Sequence, residues 1–497
     1  MGVQGNGLIS HHNQIIGLGY RIVDSNLSPR NRELLIVAAL LALGLLTRFF
    51  GIDHQSIWID EGSTFYFSHY TWDQFATADE PNPPIYYMME GLFLDLLGQT
   101  EFGIRFASAV AGALTVPMAY VLSMKLFDSR PAALMTSALF LLSPICLFYG
   151  QEARGYMMVL LIFMIQLYVL IHALESKRNI HWLIFALLSV LQFGMHYSGI
   201  VATFTLYLYA LYFSCREGLS KDGYRIPIQM LWSGSLYLLL SSPMLMLAYD
   251  AGITSRGNGW SWCLVGMDYL INLLNDFLFD VGLSIVLFIL TAIGLYLCFR
   301  KQRQQAVLLM IVILFPVLLT TLLSFKTNMT PRYVLFAVAG FYLAIPYSLT
   351  AVRPEVMNTK RAVAVLAAVS MIVAAIVLPV YYTETTKEDF RTGAEVLSDN
   401  VGQGDLVLYA TGSENPIYTS ISFYYDPMGE GIETKGISSN EELWAYTDAF
   451  SYDNIYILIL ADYDPVDYLL NVDSDNCEHI CEAYRINVFR ITGPLPH

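Results

Sequence analysis

The sequence predicts a polytopic α-helical membrane protein carrying a small C-terminal α/β domain. Three observations lead there. Hydrophobic residues make up 55% of the 497 and charged residues only 14%, with a mean hydropathy of +0.49, which is too apolar for an ordinary soluble domain. Apolar stretches of roughly 17–25 residues, the thickness of a bilayer core, recur along the first three quarters of the chain. The net charge of −15 is also concentrated: residues 382–497 hold 21 Asp and Glu against 5 Lys and Arg, so the part before them is close to neutral. An acidic tail follows an apolar body, and nothing in this balance suits nucleic acid.

Taken in order, eleven spans are predicted, at about 34–50, 102–124, 132–149, 156–174, 181–196, 199–214, 228–249, 281–299, 306–324, 333–350 and 362–381. Basic residues collect in alternate short loops: Arg21, Arg30 and Arg32 before the first span, Lys125 and Arg130, Lys177 and Arg178, Arg216, Lys221 and Arg225, Arg300, Lys301 and Arg303, and Arg353, Lys360 and Arg361. The positive-inside rule makes that side cytoplasmic. The expected organisation is a cytoplasmic N-terminal tail (1–33), a transmembrane domain (34–381) whose first outer loop spans 51–101, and an extracytoplasmic α/β domain (382–497), all at the cell (plasma) membrane.

In the tail, Gly404 to Tyr409 and Asn454 to Leu460 read as buried strands, with a helix at 441–446 between them and another at 389–397. Alternation of this kind predicts a mainly parallel sheet, with 484–491 as an edge strand. The six cysteines show no zinc spacing. Cys477 and Cys481 are close enough in sequence to be either a local disulfide or two free thiols. The first twenty residues lack a signal-peptide pattern.

The residues with chemical potential all fall on the outer side. Asp60-Glu61 follow the first span. Neighbouring carboxylates resist ionising together and partial burial adds to this, so a raised pKa, suited to a general base, is expected; the alternative is a solvated loop pair. Asp79-Glu80-Pro81-Asn82-Pro83-Pro84-Ile85-Tyr86 supplies a second carboxylate, Glu80, and a rigid turn around Asn82. Gln151-Glu152-Ala153-Arg154-Gly155-Tyr156 packs charges between two apolar segments, where they must be paired or functional. Lys326 and Arg332 are outer-face cations, beside Tyr333. They fit either an anion, gripped through an arginine fork, or snorkelling to lipid headgroups. His196, at the end of a span, and Arg256, in the 250–280 loop, are weaker candidates.

In this order the motifs resemble the GT-C class of membrane glycosyltransferases, the superfamily of protein O-mannosyltransferases and lipid A aminoarabinose transferases, close to prokaryotic glycosyltransferase family 39. The resemblance rests on Asp60-Glu61 after the first span, Glu80 before Pro83-Pro84-Ile85-Tyr86, the Gln151 to Tyr156 segment, Pro331-Arg332-Tyr333, and a tail opening Asp389-Phe390-Arg391. It implies a GT-C fold and inverting transfer of a sugar from a polyprenyl-phosphate donor to an acceptor hydroxyl at the outer membrane face. The acceptor would be a protein, a lipid or a glycan.

The resemblance makes Asp60 the catalytic base. Glu61, Glu80, Asn82, Tyr86, Glu152, Arg154, Tyr156, His196, Lys326, Arg332 and Tyr333 would then bind substrate, with Arg332 and Lys326 on the leaving phosphate and Arg154 a further candidate. Here Pro81-Asn82 separate Glu80 from the two prolines, a departure from the aminoarabinose enzymes. No nucleotide is implied. A divalent cation, for which only Asp268, Asp276 and Asp280 offer acidic candidates in the later outer loops, is not expected to be essential. The competing readings are a non-catalytic scaffold with a partner-binding acidic tail and a transporter. The spans' lack of mid-membrane charge weighs against the transporter.

Overall fold

The structure is a computed structural model. It describes residues 28–495 apart from 79–81, 218–223, 255–262, 280, 352–360, 362–367, 369–370, 373–374, 377–378, 411–415, 461–468 and 470–473. Glu80 and Arg256 lie outside the described residues.

Helix α1 (Pro29–Phe49) starts at Ser28, whose hydroxyl accepts the Asn31 N–H, with Pro29 in the first turn. Three short helices follow, α2 (Ile59–Phe67), α3 (Trp72–Phe75) and α4 (Pro84–Leu97). The long helices come next: α5 (Glu101–Phe127), α6 (Arg130–Leu142) with its continuation α7 (Pro144–Gly150), α8 (Tyr156–Ser176), α9 (Asn179–Met195), α10 (Gly199–Glu217), α11 (Arg225–Thr254), α12 (Met267–Phe277), α13 (Val281–Lys301) and α14 (Arg303–Leu323). A 3₁₀ segment (Pro331–Ala337) then runs into α15 (Val338–Thr350).

Among the described residues, six helical segments are long and apolar enough to cross a membrane: Glu101–Phe127, Tyr156–Ser176, Arg225–Tyr249, Leu283–Lys301, Arg303–Leu323 and Pro331–Thr350. A seventh is added if α6 and α7, bent by 56° at Ser143, form one span. The other expected spans coincide with α1, α9 and α10, which fall outside that set, while 362–381 lies largely outside the described residues. The bend between α6 and α7 has a visible cause. Pro144 cannot donate to the helix ladder, and the guanidinium of fully buried Arg48 caps the freed carbonyls of Phe140 and Leu141 at 2.6 and 2.8 Å.

Beyond the helices, the chain forms α16 (Phe390–Asn400), β1 (Leu406–Ala410), α17 (Pro416–Ile421), β2 (Glu433–Ile437), α18 (Asn440–Asp448), β3 (Ile455–Leu460), β4 (Cys477–Ala483) and β5 (Ile486–Ile491). The strand order is β2-β1-β3-β5-β4. β1 is parallel to β2 and β3, whereas β5 is antiparallel to β3 and β4. The sheet is therefore mixed, and the segment expected at its edge, β5, is interior. β5 is buried at nearly every position, because β4 turns back through Tyr484-Arg485 and covers it. Alternation alone could not separate a covered strand from an edge. Cys477 and Cys481 are both on β4 and unbonded. Four residues along a strand separate them by about 13 Å, beyond disulfide reach.

The sheet region docks closely on the residues after α1. Arg391 donates to Glu101 at 2.6 and 3.0 Å and to the Asp53 carbonyl at 2.9 Å. The Tyr424 hydroxyl accepts the Ile57 N–H and donates to Glu101. Gly62 explains how α17 approaches α2: a Cβ there would lie 2.1 Å from Ser420 Oγ and 2.7 Å from its Cα.

Candidate active site

Asp60 is in the first turn of α2, where unpaired N–H groups and the helix dipole favour a carboxylate. Glu61, in the same turn, is fully buried and holds the turn in place. Arg105 of α5 grips it in a bidentate fork at 2.7 Å on both oxygens, Lys387 Nζ is 3.1 Å away, and the Ala153 N–H donates at 2.9 Å. Arg105 also donates to the carbonyls of Ile52, Gln55 and Ser56, which fixes the chain entering α2. Glu61's carboxylate is thus committed to protein partners and is not available to a substrate, contrary to its expected place among the binding residues.

Asp60 points elsewhere. Its Oδ1 is 3.2 Å from Arg154 Nη2 and its Oδ2 is 2.9 Å from Arg332 Nη1, with all three side chains only 12–19% exposed. The 150–155 turn that carries Arg154 is pinned through its backbone. Thr64 donates to the Ala153 carbonyl and Ser108 to the Arg154 carbonyl, while a Cβ on Gly155 would meet the Met195 carbonyl at 2.2 Å. Arg154 further donates to the Tyr87 hydroxyl at 3.0 Å. Arg332 lies over the rings of Trp58, Tyr156 and Tyr333 at 5.6–6.0 Å, a cation–π cradle.

His196 packs against the same two tyrosines, its ring centroid 4.9 Å from Tyr156 and 5.4 Å from Tyr333. Its Nδ1 accepts the Ser198 N–H at 3.1 Å, which leaves the ring hydrogen on Nε2. Burial, together with Arg154 and Arg332, pushes its pKa down to about 3.

The electrostatics correct the expectation of a raised Asp60 pKa. Burial does push it up, but the charges of Arg154 and Arg332 outweigh that and hold it below the ordinary carboxylate value. Glu61 follows the same pattern: burial is overcome by Arg105 and Lys387, and its pKa falls to about 2. Glu152 takes the raised value instead, pushed to about 7 chiefly by burial and only partly countered by Lys387 and Arg332. Both Glu152 oxygens are buried without a hydrogen-bond partner among the described residues.

Asp60, Glu152, Arg154, Tyr156, His196, Arg332 and Tyr333 are therefore brought together, as the sequence suggested. Tyr86 is buried and serves the scaffold: its hydroxyl pairs with Ser108, which in turn holds the Arg154 carbonyl. Asn82 lies in the half-buried turn before α4. Lys326 does not join the cluster: its side chain is exposed after α14 and makes no ion pair with the described residues. Two charged residues that complete the site, Arg105 and Lys387, were not anticipated. Arg105 stood at the rim of an apolar span and Lys387 looked like one sparse cation in an acidic tail. Among the described residues no group of three or more His, Cys, Asp or Glu is arranged to hold a metal ion.

Comparison with known proteins agrees with this architecture. Residues 81–247 match the family described as dolichyl-phosphate-mannose-protein mannosyltransferase. No curated protein sequence matches the chain. Among solved structures, apo ArnT from Cupriavidus metallidurans superposes with a TM-score of 0.64 at 12% identity, covering 92% of this chain and 98% of ArnT. The same enzyme bound to undecaprenyl phosphate gives 0.62 at 12% identity over 93% and 98%. The mycobacterial arabinofuranosyltransferase AftD gives 0.51 at 13% identity, covering 95% of this chain and 42% of AftD. In fold the chain is similar to ArnT over nearly its whole length, and residues 81–247 match the mannosyltransferase family.

Proposed function

We propose that the protein transfers a sugar from a polyprenyl-phosphate donor to an acceptor hydroxyl at the outer face of the membrane, with inversion at the anomeric carbon. The observation that carries this reading is the single carboxylate of Asp60 held between two arginines, Arg154 and Arg332. Four cations, Arg105 and Lys387 fully buried and Arg154 and Arg332 largely so, surround the carboxylates of Asp60 and Glu61, with Glu152 beside them. A surplus of buried positive charge suits an anion, and a lipid phosphate brings one. The likeness in fold to ArnT, which has been solved with undecaprenyl phosphate, supports a donor of that chemistry.

In the reaction the acceptor hydroxyl oxygen attacks the anomeric carbon while its proton passes to Asp60. The electron pair of the breaking carbon–oxygen bond moves onto the phosphate. Arg332, with Arg154, neutralises the growing charge there, an electrostatic contribution that is commonly large. The same arginines hold Asp60 ionised but weakly basic before the donor arrives. A phosphate that draws Arg332 away raises the proton affinity of Asp60 when a base is needed. The catalytic face, the 382–497 region and the C-terminus are outside the cell in this reading, and the N-terminus is inside.

The test is transfer by the purified protein in detergent or liposomes. Radiolabelled sugar should move from a polyprenyl-phosphate sugar and not from the matching nucleotide sugar. Transfer from the nucleotide sugar alone, or from neither over a panel of hexosyl and pentosyl donors, would contradict the proposal.

A further inference from the structure

Lys387 lies in a short irregular segment between the helix ending at Thr383 and α16, some 326 residues from Glu61. Its side chain is only 3% exposed. Its ammonium donates to Glu61 at 3.1 Å and approaches the Gln151 carbonyl at 3.4 Å, over the Phe148 ring at 5.5 Å. The backbone around it is fixed as well. The N–H groups of Thr386 and Lys387 and the Thr386 hydroxyl all donate to Gln55 Oε1, and Gln55 Nε2 donates to the Tyr381 carbonyl. One side chain therefore joins three segments: the first turn of α2 with Asp60, the 150–155 turn with Arg154, and the start of the C-terminal region.

A desolvated ammonium is costly, and a helix turn whose glutamate already has a bidentate arginine does not need one to stay folded. Its position suggests a task that Arg105 cannot perform. Arg105 ties Glu61 to α5 and to the chain before α2, and Glu61 and Thr64 bond the Ala153 backbone, but none of these bonds reaches the start of the C-terminal region. Lys387 brings in that segment and adds a bond to the Gln151 carbonyl.

We propose that Lys387 is a positioning residue of the catalytic centre, by which the C-terminal region holds the Asp60 helix and the Arg154 turn in register. This rests on the reading of Asp60 and Arg154 given above. The C-terminal region then becomes part of the active site and more than an acceptor-binding cap. Lys387 also acts through charge. It is the strongest of the cations countering the burial of Glu152, which is further faced by Arg332, Glu61, Asp60, Tyr149 and Tyr381. An ionised Glu152 raises the proton affinity of Asp60, because the coupling between two carboxylates is mutual.

The deciding experiment compares Lys387→Met, Lys387→Arg, Glu152→Gln and the Lys387→Met/Glu152→Gln double variant, with Asp60→Asn as control. All are full-length and reconstituted with a polyprenyl-phosphate sugar. Lys387→Met should lower kcat about 10- to 100-fold, the cost of a misplaced catalytic group, and leave donor KM within about twofold. In the pH–rate profile it should also move upward the acid limb that follows ionisation of Glu152, since the cation that lowers the Glu152 pKa is lost, and that movement should vanish in the Glu152→Gln background. Lys387→Arg, which keeps the charge, should preserve the limb. A merely structural lysine would lower the amount of active enzyme without moving the limb.

If Lys387→Met does not accumulate as folded protein, Lys387→Arg and Glu152→Gln decide: a limb displaced by the former, or unchanged in the latter, overturns the proposal. Wild-type kcat and pH profile in Lys387→Met overturn it as well. If Asp60→Asn also stays active, the reading of the site itself has failed; if Asp60→Asn alone is inactive, only the role of Lys387 has.

Discussion

Arg332 Nη1 stands 2.9 Å from Asp60 Oδ2, so the cation best placed to receive a leaving phosphate is also the counter-ion of the proposed base. Replacing it should therefore affect two measurable quantities. In Arg332→Ala, donor KM should rise and kcat should fall by about two to three orders of magnitude, as when one preorganised charge-stabilising group is lost. Burial would then face Arg154 alone, so the Asp60 pKa should move up from its depressed position. Steady-state kinetics across pH check both. Parental donor KM and kcat would remove Arg332 from the site.

Glu61 should behave as a stability residue. Removing one partner of a buried, hydrogen-bonded ion pair costs about 3–5 kcal/mol, so Glu61→Gln should unfold at a lower temperature in detergent even without substrate. The pH dependence has a definite sign. The folded pKa, about 2, is below the reference value of 4.5, so the stabilisation is complete above about 4.5 and is lost as pH falls toward 2. Thermal melts from pH 7 to pH 3 of parent and variant should converge at the acid end.

His196 should contribute a neutral donor from Nε2, since Ser198 occupies Nδ1 and the depressed pKa keeps the ring uncharged. His196→Phe should reduce kcat/KM without altering the shape of the pH profile between 5 and 8. A limb near 6.5 that disappears in the variant would show that His196 titrates during turnover.

Gly62→Ala should loosen the docking of α17 on α2, because the added methyl would overlap Ser420. Limited proteolysis should cut the C-terminal region faster in this variant. Ser420→Gly in the same chain should restore resistance only in part, since it removes the hydroxyl and Cβ but leaves the Ser420 Cα 2.7 Å from the methyl. Equal cleavage rates in parent and Gly62→Ala would contradict the close packing.

The sequence carried much of this site because its key residues sit in short runs beside apolar segments. Asp60, the 151–156 run and Pro331-Arg332-Tyr333 could be placed on one face by hydropathy and charge alone, and they do converge. What could not be read were pairings over long separations. Arg105 and Glu61 are 44 residues apart and Lys387 and Glu61 are 326 apart, and no periodicity links either pair. The expectation of a raised Asp60 pKa failed for a different reason: Arg154 and Arg332 were read as partners of the substrate, and in the structure both pair with Asp60 itself. β5 was misplaced at the sheet edge for a similar reason, since the strand that covers it, β4, is a turn away in sequence but has a largely exposed, weakly apolar pattern.

The central claim, that Asp60 takes the proton from the acceptor, is tested most directly by sugar transfer in Asp60→Asn. This substitution keeps the side-chain shape and leaves the Glu61–Arg105–Lys387 network intact. The measurement is transfer of labelled sugar from a polyprenyl-phosphate donor by reconstituted, correctly folded protein. The account expects transfer to fall to background while the protein still folds, with a melting temperature lowered only by the lost pairing to Arg154 and Arg332. Transfer at the parental rate would contradict it.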